Sequence, residues 1–233
     1  MKAFKTLCSA ALAACLVLAT SCSSMTNMGK GAAIGGGGGA AAGAGIGALI
    51  NGGKGAAIGS AIGAAVGAGA GMLIGKKMDK QKAELEKELQ NTATIDTVTD
   101  TNGLTAIRVT FEGGILFPTN GTTLSQSARK DLTKFAASLL ANPDTDVRIY
   151  GFTDNTGSMA ANTKVANGRA DAVMTYLLDS GVAASRLYAE GRPMTDYVAP
   201  NTTPEGRAQN RRVEIFIMAN KAMIEKAENG TLN

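Results

Sequence analysis

The alternation of apolar and polar residues predicts about four short strands in the second half of the chain, and helical spacing of apolar residues predicts two helices between them. The strands are expected at residues 106–111, 147–152, 187–190 and 212–218, and the helices at 125–140 and 162–178. Strands that alternate with helices indicate crossover connections and a sheet with helices on one face. The pattern therefore predicts an α/β or α+β fold with about four strands.

The first half of the chain has a different period, with glycine at every fourth position. The series begins at Gly31, reaches Gly47, is interrupted near Asn51, and resumes from Gly55 to Gly75. A four-residue step is slightly more than one helical turn, so these glycines form one groove along which two helices can pack closely. The string GKGAAIG at residues 29–35 recurs unchanged at 53–59, which indicates a duplicated unit.

This period resembles that of glycine-zipper segments, and we predict a helical hairpin over residues 29–75 at or in a membrane. Each half carries about twenty apolar or small residues, enough to cross a hydrocarbon core of about 30 Å. A flexible glycine and alanine spacer is the alternative, because glycine costs about 1 kcal/mol at each helical position in water.

Residues 1–21 have the layout of a secretory signal, with Lys2 and Lys5 before an apolar run and small residues at the end. The residues before Cys22 resemble the lipobox of bacterial lipoproteins. This resemblance implies that the Cys22 thiol carries a lipid such as palmitate and begins the mature protein. Two alternatives stay open, namely lipidation at Cys15 and a plain signal peptide without a lipid.

The composition argues for binding and against catalysis. The chain contains no histidine, so the commonest general base and metal ligand is missing, and we find no convincing pair of catalytic carboxylates. We therefore predict no catalytic residue, metal site or cofactor. The net charge of +4 comes from scattered residues and not from the basic stripe of a nucleic-acid-binding protein, so we expect no nucleic-acid partner.

These patterns divide the chain into six predicted segments. Strong helix formers and charges after residue 75 indicate a solvated helical spacer, and a threonine-rich and aspartate-rich stretch indicates a hinge. The segments are a signal peptide at 1–21, a lipidated N-terminus and linker at 22–28, the glycine-zipper hairpin at 29–75, the charged helical spacer and hinge at 76–103, a globular domain at 104–220, and a tail at 221–233.

Four motifs of the second half occur in a specific order and spacing: FPTN at residues 117–120, GFTDNTGS at 151–158, RA at 169–170 and NRRVEI at 210–215. Together they resemble the OmpA-like peptidoglycan-binding domain, over about half of the chain. The resemblance implies a βαβαβ-type domain with helices on one face of the sheet. Phe152 is a departure, since this family most often has histidine at that position.

Members of this family recognise the diaminopimelate residue of the peptidoglycan stem, which carries an ammonium group and a carboxylate on one carbon. By resemblance, the carboxylate of Asp154 binds that ammonium, and the guanidinium of Arg169 binds that carboxylate through paired hydrogen bonds. The other candidate ligand-binding residues are polar side chains near the same motifs: Asn120, Asn162, Thr119, Arg211 and Arg212.

Side-chain chemistry alone leaves another interpretation of this pair open. Asp154 would then cap its loop, and Arg169 would pair with Asp171 or Glu190 on the surface. Arg211 and Arg212 are also left open, because one can line the site while the other braces the helix before the last strand.

The leading functional hypothesis is a tether at the periplasmic face of the outer membrane. Lipid on Cys22 and the glycine-zipper hairpin would hold the membrane, and the globular domain would hold peptidoglycan. The alternative is a component of an assembly or secretion complex, in which the hairpins form homo-oligomers and the wall domain positions the complex. An enzyme that acts on peptidoglycan is the third and least supported hypothesis.

We expect a lipid-free peptide of residues 29–75 to become helical when detergent micelles are added, because an apolar environment favours backbone hydrogen bonds within the chain. Circular dichroism with and without micelles measures this change. A peptide that stays a random coil in both conditions would rule out the hairpin and leave the flexible spacer.

Overall fold

The structure, a computed structural model, describes residues 66–100, 102–118 and 121–232. The predicted signal peptide, Cys15, Cys22 and residues 29–65 of the predicted glycine-zipper hairpin lie outside the described residues. The described elements, in chain order, are α1 (Ala68–Glu88), β1 (Thr94–Thr99), β2 (Thr105–Glu112), α2 (Gly113–Leu116), α3 (Gln126–Ala141), β3 (Thr145–Phe152), α4 (Met159–Asp179), a 3₁₀ turn (Ala184–Arg186), β4 (Leu187–Arg192), α5 (Pro204–Asn210), β5 (Arg212–Ala219) and α6 (Lys221–Glu228).

The five strands form one mixed sheet in the order β1-β2-β5-β3-β4. Strands β3 and β4 are parallel and are connected through α4, whereas all other neighbouring strands are antiparallel. The mixed α/β architecture predicted from the sequence is confirmed. The interior strand β2 shows the clearest alternation of apolar and polar residues in the sequence, and its residues Ile107, Val109 and Phe111 are buried in the main core.

The alternation within each strand separates two faces of the sheet. On one face, Val147, Ile149 and Ile215 join the main core with residues of α1, α3 and α4. On the other face, Tyr150 and Phe216 form a small separate aromatic cluster with Phe152. The helices therefore cover one side of the sheet, as predicted, and the second side is open apart from loops.

Local signals in the sequence fix the ends of the two long helices. The Ser125 hydroxyl accepts a hydrogen bond from the backbone N–H of Ala128 at 3.0 Å, and the Ser158 hydroxyl accepts one from Ala161 at 3.3 Å. Both serines are N-caps, which satisfy backbone donors that the first helical turn leaves free. Gly181 follows α4 with a φ of +94°, the left-handed conformation in which helices commonly end.

A pair of glycines brings α4 unusually close to the sheet. Gly151 and Gly191 are register partners on the parallel strands β3 and β4. A Cβ atom on Gly151 would lie 2.3 Å from the carbonyl oxygen of Ala166, and one on Gly191 would lie 2.4 Å from the backbone nitrogen of Asn167. Side chains at these two positions would push the helix away from the strands.

The predicted spacer and hinge differ from the structure. The segment after residue 75 is helical, but α1 is not solvated on all sides, because Ile74, Met78, Leu85 and Leu89 form a stripe that is almost fully buried. Lys82 and Glu86, four residues apart, form an ion pair on its outer side. The charged residues hide this stripe in the sequence, since they outnumber the apolar residues around it.

The strand count also differs, with five strands where about four were predicted. The additional strand is β1, which lies in the segment predicted as a hinge and pairs along its whole length with β2. The register pairs Ile95 with Val109 on the face of the sheet that the helices cover. It pairs Val98 with Ala106 on the open face. With one apolar residue on each face, the strand shows no alternation.

The predicted C-terminal tail contains a helix. In α6, Met223, Ile224 and Ala227 are buried and belong to the main core. The Asn220 side chain caps this helix by accepting a hydrogen bond from the backbone N–H of Met223 at 3.0 Å. Residues on both sides of the predicted domain thus contribute to its core.

We expect Gly151→Ala to lower the free energy of unfolding by about 1–3 kcal/mol, the usual cost of an overpacked core. The added methyl group would clash with the backbone of Ala166, which cannot move aside as the end of a flexible side chain can. Thermal unfolding of the full chain measures the effect. Gly114→Ala is the matched control because a Cβ there meets nothing within 4 Å, and equal stability of the two variants would contradict the close approach of α4.

Candidate functional site

Asp154 lies in the loop that follows β3, and only 6% of its surface is exposed. Its Oδ1 atom accepts a hydrogen bond from the backbone N–H of Thr156 at 2.8 Å. Its Oδ2 atom accepts one from Nη1 of Arg211 at 2.6 Å. The carboxylate is therefore held in one orientation from both sides.

The pKa of Asp154 lies below its ordinary value. Burial alone would raise the pKa of this carboxyl, but the hydrogen bond from Arg211, the hydrogen bonds from Thr156 and the positive charge of Arg211 together outweigh burial. Asp154 is consequently a carboxylate at neutral pH and in mild acid. Arg211 itself has a side chain that is 38% exposed, so this ion pair is open to solvent on one side.

Arg169 projects from α4 into the same region, and only 3% of its surface is exposed. Its Nε atom donates to the carbonyl oxygen of Gly121 at 3.1 Å, and its guanidinium carbon lies 5.3 Å from the centre of the Phe117 ring. Among the described residues, its Nη1 atom is buried without a hydrogen-bond partner. The guanidinium thus packs against the Phe117 ring, while its Nη1 donor has no hydrogen-bond acceptor.

The charges of this region act on one another. Burial lowers the pKa of Arg169, the positive charge of Arg211 lowers it further, and the negative charge of Asp154 raises it. Within the described residues Arg169 makes no ion pair, and Glu190 pairs with Arg192 instead. The alternative that Arg169 pairs with Asp171 or Glu190 is thus absent from the structure, although the loop-capping contact of Asp154 is present.

Asn162 is buried next to this region, in the second turn of α4. Its side-chain nitrogen donates to the carbonyl oxygens of Thr156 at 2.8 Å and Ser158 at 3.1 Å. These bonds hold the loop that carries Asp154 against the helix that carries Arg169. In this structure the Asn162 amide group positions the two charged residues.

The structure describes two of the other predicted residues, Arg211 and Arg212, and they lie in different places. Thr119 and Asn120 lie outside the described residues, between Pro118 and Gly121. Arg212 lies on the open face of the sheet, where its guanidinium carbon is 3.9 Å from the centre of the Phe152 ring and its Nε atom is 2.6 Å from Glu214. Of the two adjacent arginines, Arg211 alone contacts Asp154.

Two contacts of Arg169 were not predicted from the sequence. The carbonyl oxygen of Gly121 has no side-chain signature, and a sequence pattern cannot reveal a backbone acceptor. Phe117 belongs to the FPTN motif in the sequence, but its packing against the Arg169 guanidinium depends on the fold. The site therefore consists of one carboxylate and two guanidinium groups, which suits a ligand that carries charges of both signs.

Comparisons with known proteins identify the families that the chain resembles. Residues 116–211 match the model of the OmpA family, and residues 1–79 match the model of the YMGG-like glycine zipper. The globular part of the chain is therefore an OmpA-like domain, and the resemblance seen in its motifs is confirmed.

Two relatives and one solved structure illustrate the similarity. The chain is 38% identical over 140 residues to "Probable lipoprotein YiaD" of Escherichia coli, which is 60% of this chain and 62% of that protein. It is 41% identical over 112 residues to "Peptidoglycan-binding protein ArfA" of Mycobacterium bovis, which is 48% of this chain and 34% of that protein. The structure of the cell wall anchor of the T6SS from Pseudomonas aeruginosa superimposes with a TM-score of 0.51 at 28% identity, over 60% of this chain and 99% of that one. The chain thus spans less than two thirds of the length of these curated relatives.

The described residues contain neither a candidate membrane span nor a candidate metal site. None of the helices found between residues 66 and 232 combines the length and the apolar character that crossing a membrane requires. In the same part of the chain, no group of three acidic, cysteine or histidine residues is arranged to hold a metal ion.

We expect Arg211→Gln to raise the pKa of Asp154, because the substitution removes a hydrogen bond and a positive charge while the burial that raises the pKa persists. A pH titration of the Asp154 carboxyl carbon by NMR measures the change. Arg129→Gln removes an exposed charge elsewhere and should leave the titration unchanged. An unchanged titration in Arg211→Gln would contradict the assigned ion pair.

Proposed function

We propose that the OmpA-like domain binds peptidoglycan non-covalently and recognises the diaminopimelate side chain of the stem peptide. The observation that carries this proposal is the juxtaposition of the Asp154 carboxylate with Arg211 and with the buried, incompletely bonded Arg169. The name of the mycobacterial relative, a peptidoglycan-binding protein, supports the same ligand class.

The end of a diaminopimelate side chain is a zwitterion, with its ammonium and carboxylate on one carbon. In the proposed complex the ammonium binds Asp154, and the carboxylate accepts hydrogen bonds from the free Nη1 atom of Arg169. Arg211 now occupies one oxygen of Asp154, so the ligand ammonium must share or replace that contact. Partial exposure of the Arg211 side chain gives it room to move.

The charge balance of the site favours such a ligand over a simple cation. Two guanidinium groups face one carboxylate, which leaves an excess of one positive charge. A ligand that brings only an ammonium would add to this excess. A zwitterion adds a carboxylate between the two arginines, so each charge acquires a neighbour of opposite sign.

The affinity of one site need not be high. Hydrogen bonds to charged groups contribute about 1.5–3 kcal/mol each, so two such contacts suit weak binding of a single stem peptide. Peptidoglycan repeats this stem along a polymer. Lipid on Cys22 and the predicted glycine-zipper hairpin would keep the domain close to that polymer and raise the effective concentration.

On this proposal the chain is a lipoprotein that tethers the outer membrane to the cell wall from the periplasmic face. The names of its relatives include a lipoprotein of Escherichia coli and an outer-membrane lipoprotein of Pseudomonas aeruginosa, which supports the cell envelope as its location. The proposed role is binding, and no catalytic step is assigned to the site.

A second candidate is a component of an assembly or secretion complex that the same domain positions on the wall. The observation in its favour is the structural similarity to the cell wall anchor of a secretion system. In this case the glycine-zipper segments would form homo-oligomers. Both candidates require the same recognition of peptidoglycan by the C-terminal domain.

We expect the full chain in non-ionic detergent to sediment with purified sacculi that contain diaminopimelate, and expect Asp154→Asn and Arg169→Gln to weaken this binding by about tenfold or more each. Arg169→Lys should also bind weakly, because an ammonium cannot form paired hydrogen bonds with a carboxylate. Co-sedimentation with increasing amounts of sacculi measures the affinity.

Two controls separate wall binding from recognition of diaminopimelate. Asp171→Asn changes an exposed carboxylate on the same helix as Arg169 and should bind as the unaltered chain does. A soluble stem peptide with diaminopimelate should compete, and one with lysine, which lacks the second carboxylate, should compete far less. Equal competition would overturn the recognition of diaminopimelate, and failure of the unaltered chain to sediment would overturn wall binding.

A further inference from the structure

A second cavity lies on the open face of the sheet, away from the helices. Its volume is about 200 Å³, and its floor consists of side chains from all five strands of the sheet, β1 to β5. The loop at residues 193–200 covers one side and contributes Asp196, Tyr197 and Val198. Neither Asp154 nor Arg169 nor Arg211 lines it, so it is separate from the site described above.

Aromatic rings and guanidinium groups make up the floor of this cavity. Tyr150 and Phe216 meet edge to face, with ring centres 5.8 Å apart. The Arg192 guanidinium carbon lies 4.8 Å from the centre of the Tyr150 ring, and Arg212 stacks on Phe152 in the same way. The lining therefore combines aromatic rings with the guanidinium groups of three arginines, and the carboxylates of Asp196 and Glu214 lie among them.

Several buried donors on these walls have no hydrogen-bond partner among the described residues. They are Nε and Nη2 of Arg192, Nε of Arg108 and the hydroxyl of Tyr150. Tyr150 is 1% exposed and Arg192 is 9% exposed. Buried polar groups are normally hydrogen-bonded, so this concentration of unused donors in one cavity is unusual.

The acidic residues of the region do not satisfy these donors. Arg192 approaches Glu190 at 3.5 Å and Asp196 at 3.6 Å, which are ion-pair distances without a hydrogen bond from Nε or Nη2. Glu214 is engaged by Arg212, at 2.6 Å. Within the described residues, no acceptor is hydrogen-bonded to Nε or Nη2 of Arg192, and a negatively charged oxygen group of a ligand would supply one.

The covering loop is held in a strained conformation. Met194 and Asp196 have φ angles of +52° and +51°, a backbone conformation that residues other than glycine rarely adopt. Both ends of the loop are fixed, since the N–H of Met194 donates to Thr153 at 3.0 Å and the N–H of Val198 donates to Asn210 at 2.8 Å. Strain of this kind persists where the surroundings enforce it and is concentrated at binding sites.

We propose that this cavity binds a small carboxylate-bearing ligand with an apolar body. The carboxylate accepts hydrogen bonds from Arg192 and Tyr150, and the apolar body packs against the aromatic rings and Val198. An apolar cavity of about 150 Å³ holds benzene, so the observed volume suits a ligand about the size of one ring with a short acid group. This site does not depend on the proposed binding of peptidoglycan.

The four tyrosines of the chain provide a test with internal controls. Tyr150 and Tyr197 line the cavity, whereas Tyr176 and Tyr188 do not. The full chain, labelled with ¹³C-tyrosine in detergent micelles, is titrated with phenylacetate and, separately, with its uncharged analogue phenylacetamide. We expect phenylacetate to shift the signals of Tyr150 and Tyr197 saturably and to leave those of Tyr176 and Tyr188 in place.

Two substitutions test the assigned donor. Arg192→Gln should weaken phenylacetate binding by about tenfold or more, because it removes the charged donor. Arg129→Gln removes an exposed positive charge on α3, away from the cavity, and should leave binding unchanged. Thermal unfolding of both variants shows whether the fold is retained.

The outcomes are distinct. Equal shifts with phenylacetate and phenylacetamide would show an apolar cavity without selectivity for an acid and would overturn the proposal, as would the absence of saturable shifts with either compound. Equal binding of phenylacetate by Arg192→Gln and the unaltered chain would overturn the assigned donor. If Arg192→Gln fails to fold, the comparison of acid and amide on the unaltered chain decides.

Discussion

The close approach of α4 to the parallel strands β3 and β4 is the constraint on which the charged site depends. Gly151 and Gly191 leave no side chain between the strands and the helix, so the backbone at Ala166 and Asn167 rests directly on the sheet. Arg169 follows Ala166 by one helical turn. This geometry holds its guanidinium near the loop where β3 ends at Asp154, and larger residues at either glycine would move the arginine away from the carboxylate.

Arg169 and Arg212 are both buried, but they differ in how many of their donors have partners within the fold. Isolated buried charges are costly, and each buried arginine of this fold is stabilised by a different set of contacts. Arg212 has a carboxylate, a backbone carbonyl and an aromatic ring beside it, so its contacts are complete within the fold. Arg169 has a carbonyl, a ring and a free Nη1 atom. The incomplete set is the one suited to an external ligand.

The sequence predicts the elements whose signals are local, and the structure adds those that depend on distant contacts. Alternation of apolar and polar residues in β2, β3 and β5 and helical spacing of apolar residues in α3 and α4 were sufficient to place these elements, although α4 begins at Met159 and not at residue 162. β1 could not be predicted in this way, because an edge strand with one apolar residue on each face lacks a period. Family motifs identified Asp154 and Arg169 as a pair, but the contact between Asp154 and Arg211 joins residues 57 positions apart, and no local pattern encodes it.

Alternation along a strand also explains why neighbouring residues serve different sites. Arg211 contacts Asp154, whereas Arg212, the first residue of β5, lies on the open face against Phe152. Successive residues at the end of β3 also serve different sites. Phe152 lines the open cavity, and the Thr153 hydroxyl accepts a hydrogen bond from the loop that covers it. Asp154, the next residue, belongs to the charged site. The replacement of the family's usual histidine by Phe152 therefore concerns the cavity. A ring without a charge stacks there on Arg212, and Asp154 and Arg169, the pair proposed for ligand recognition, do not line the cavity.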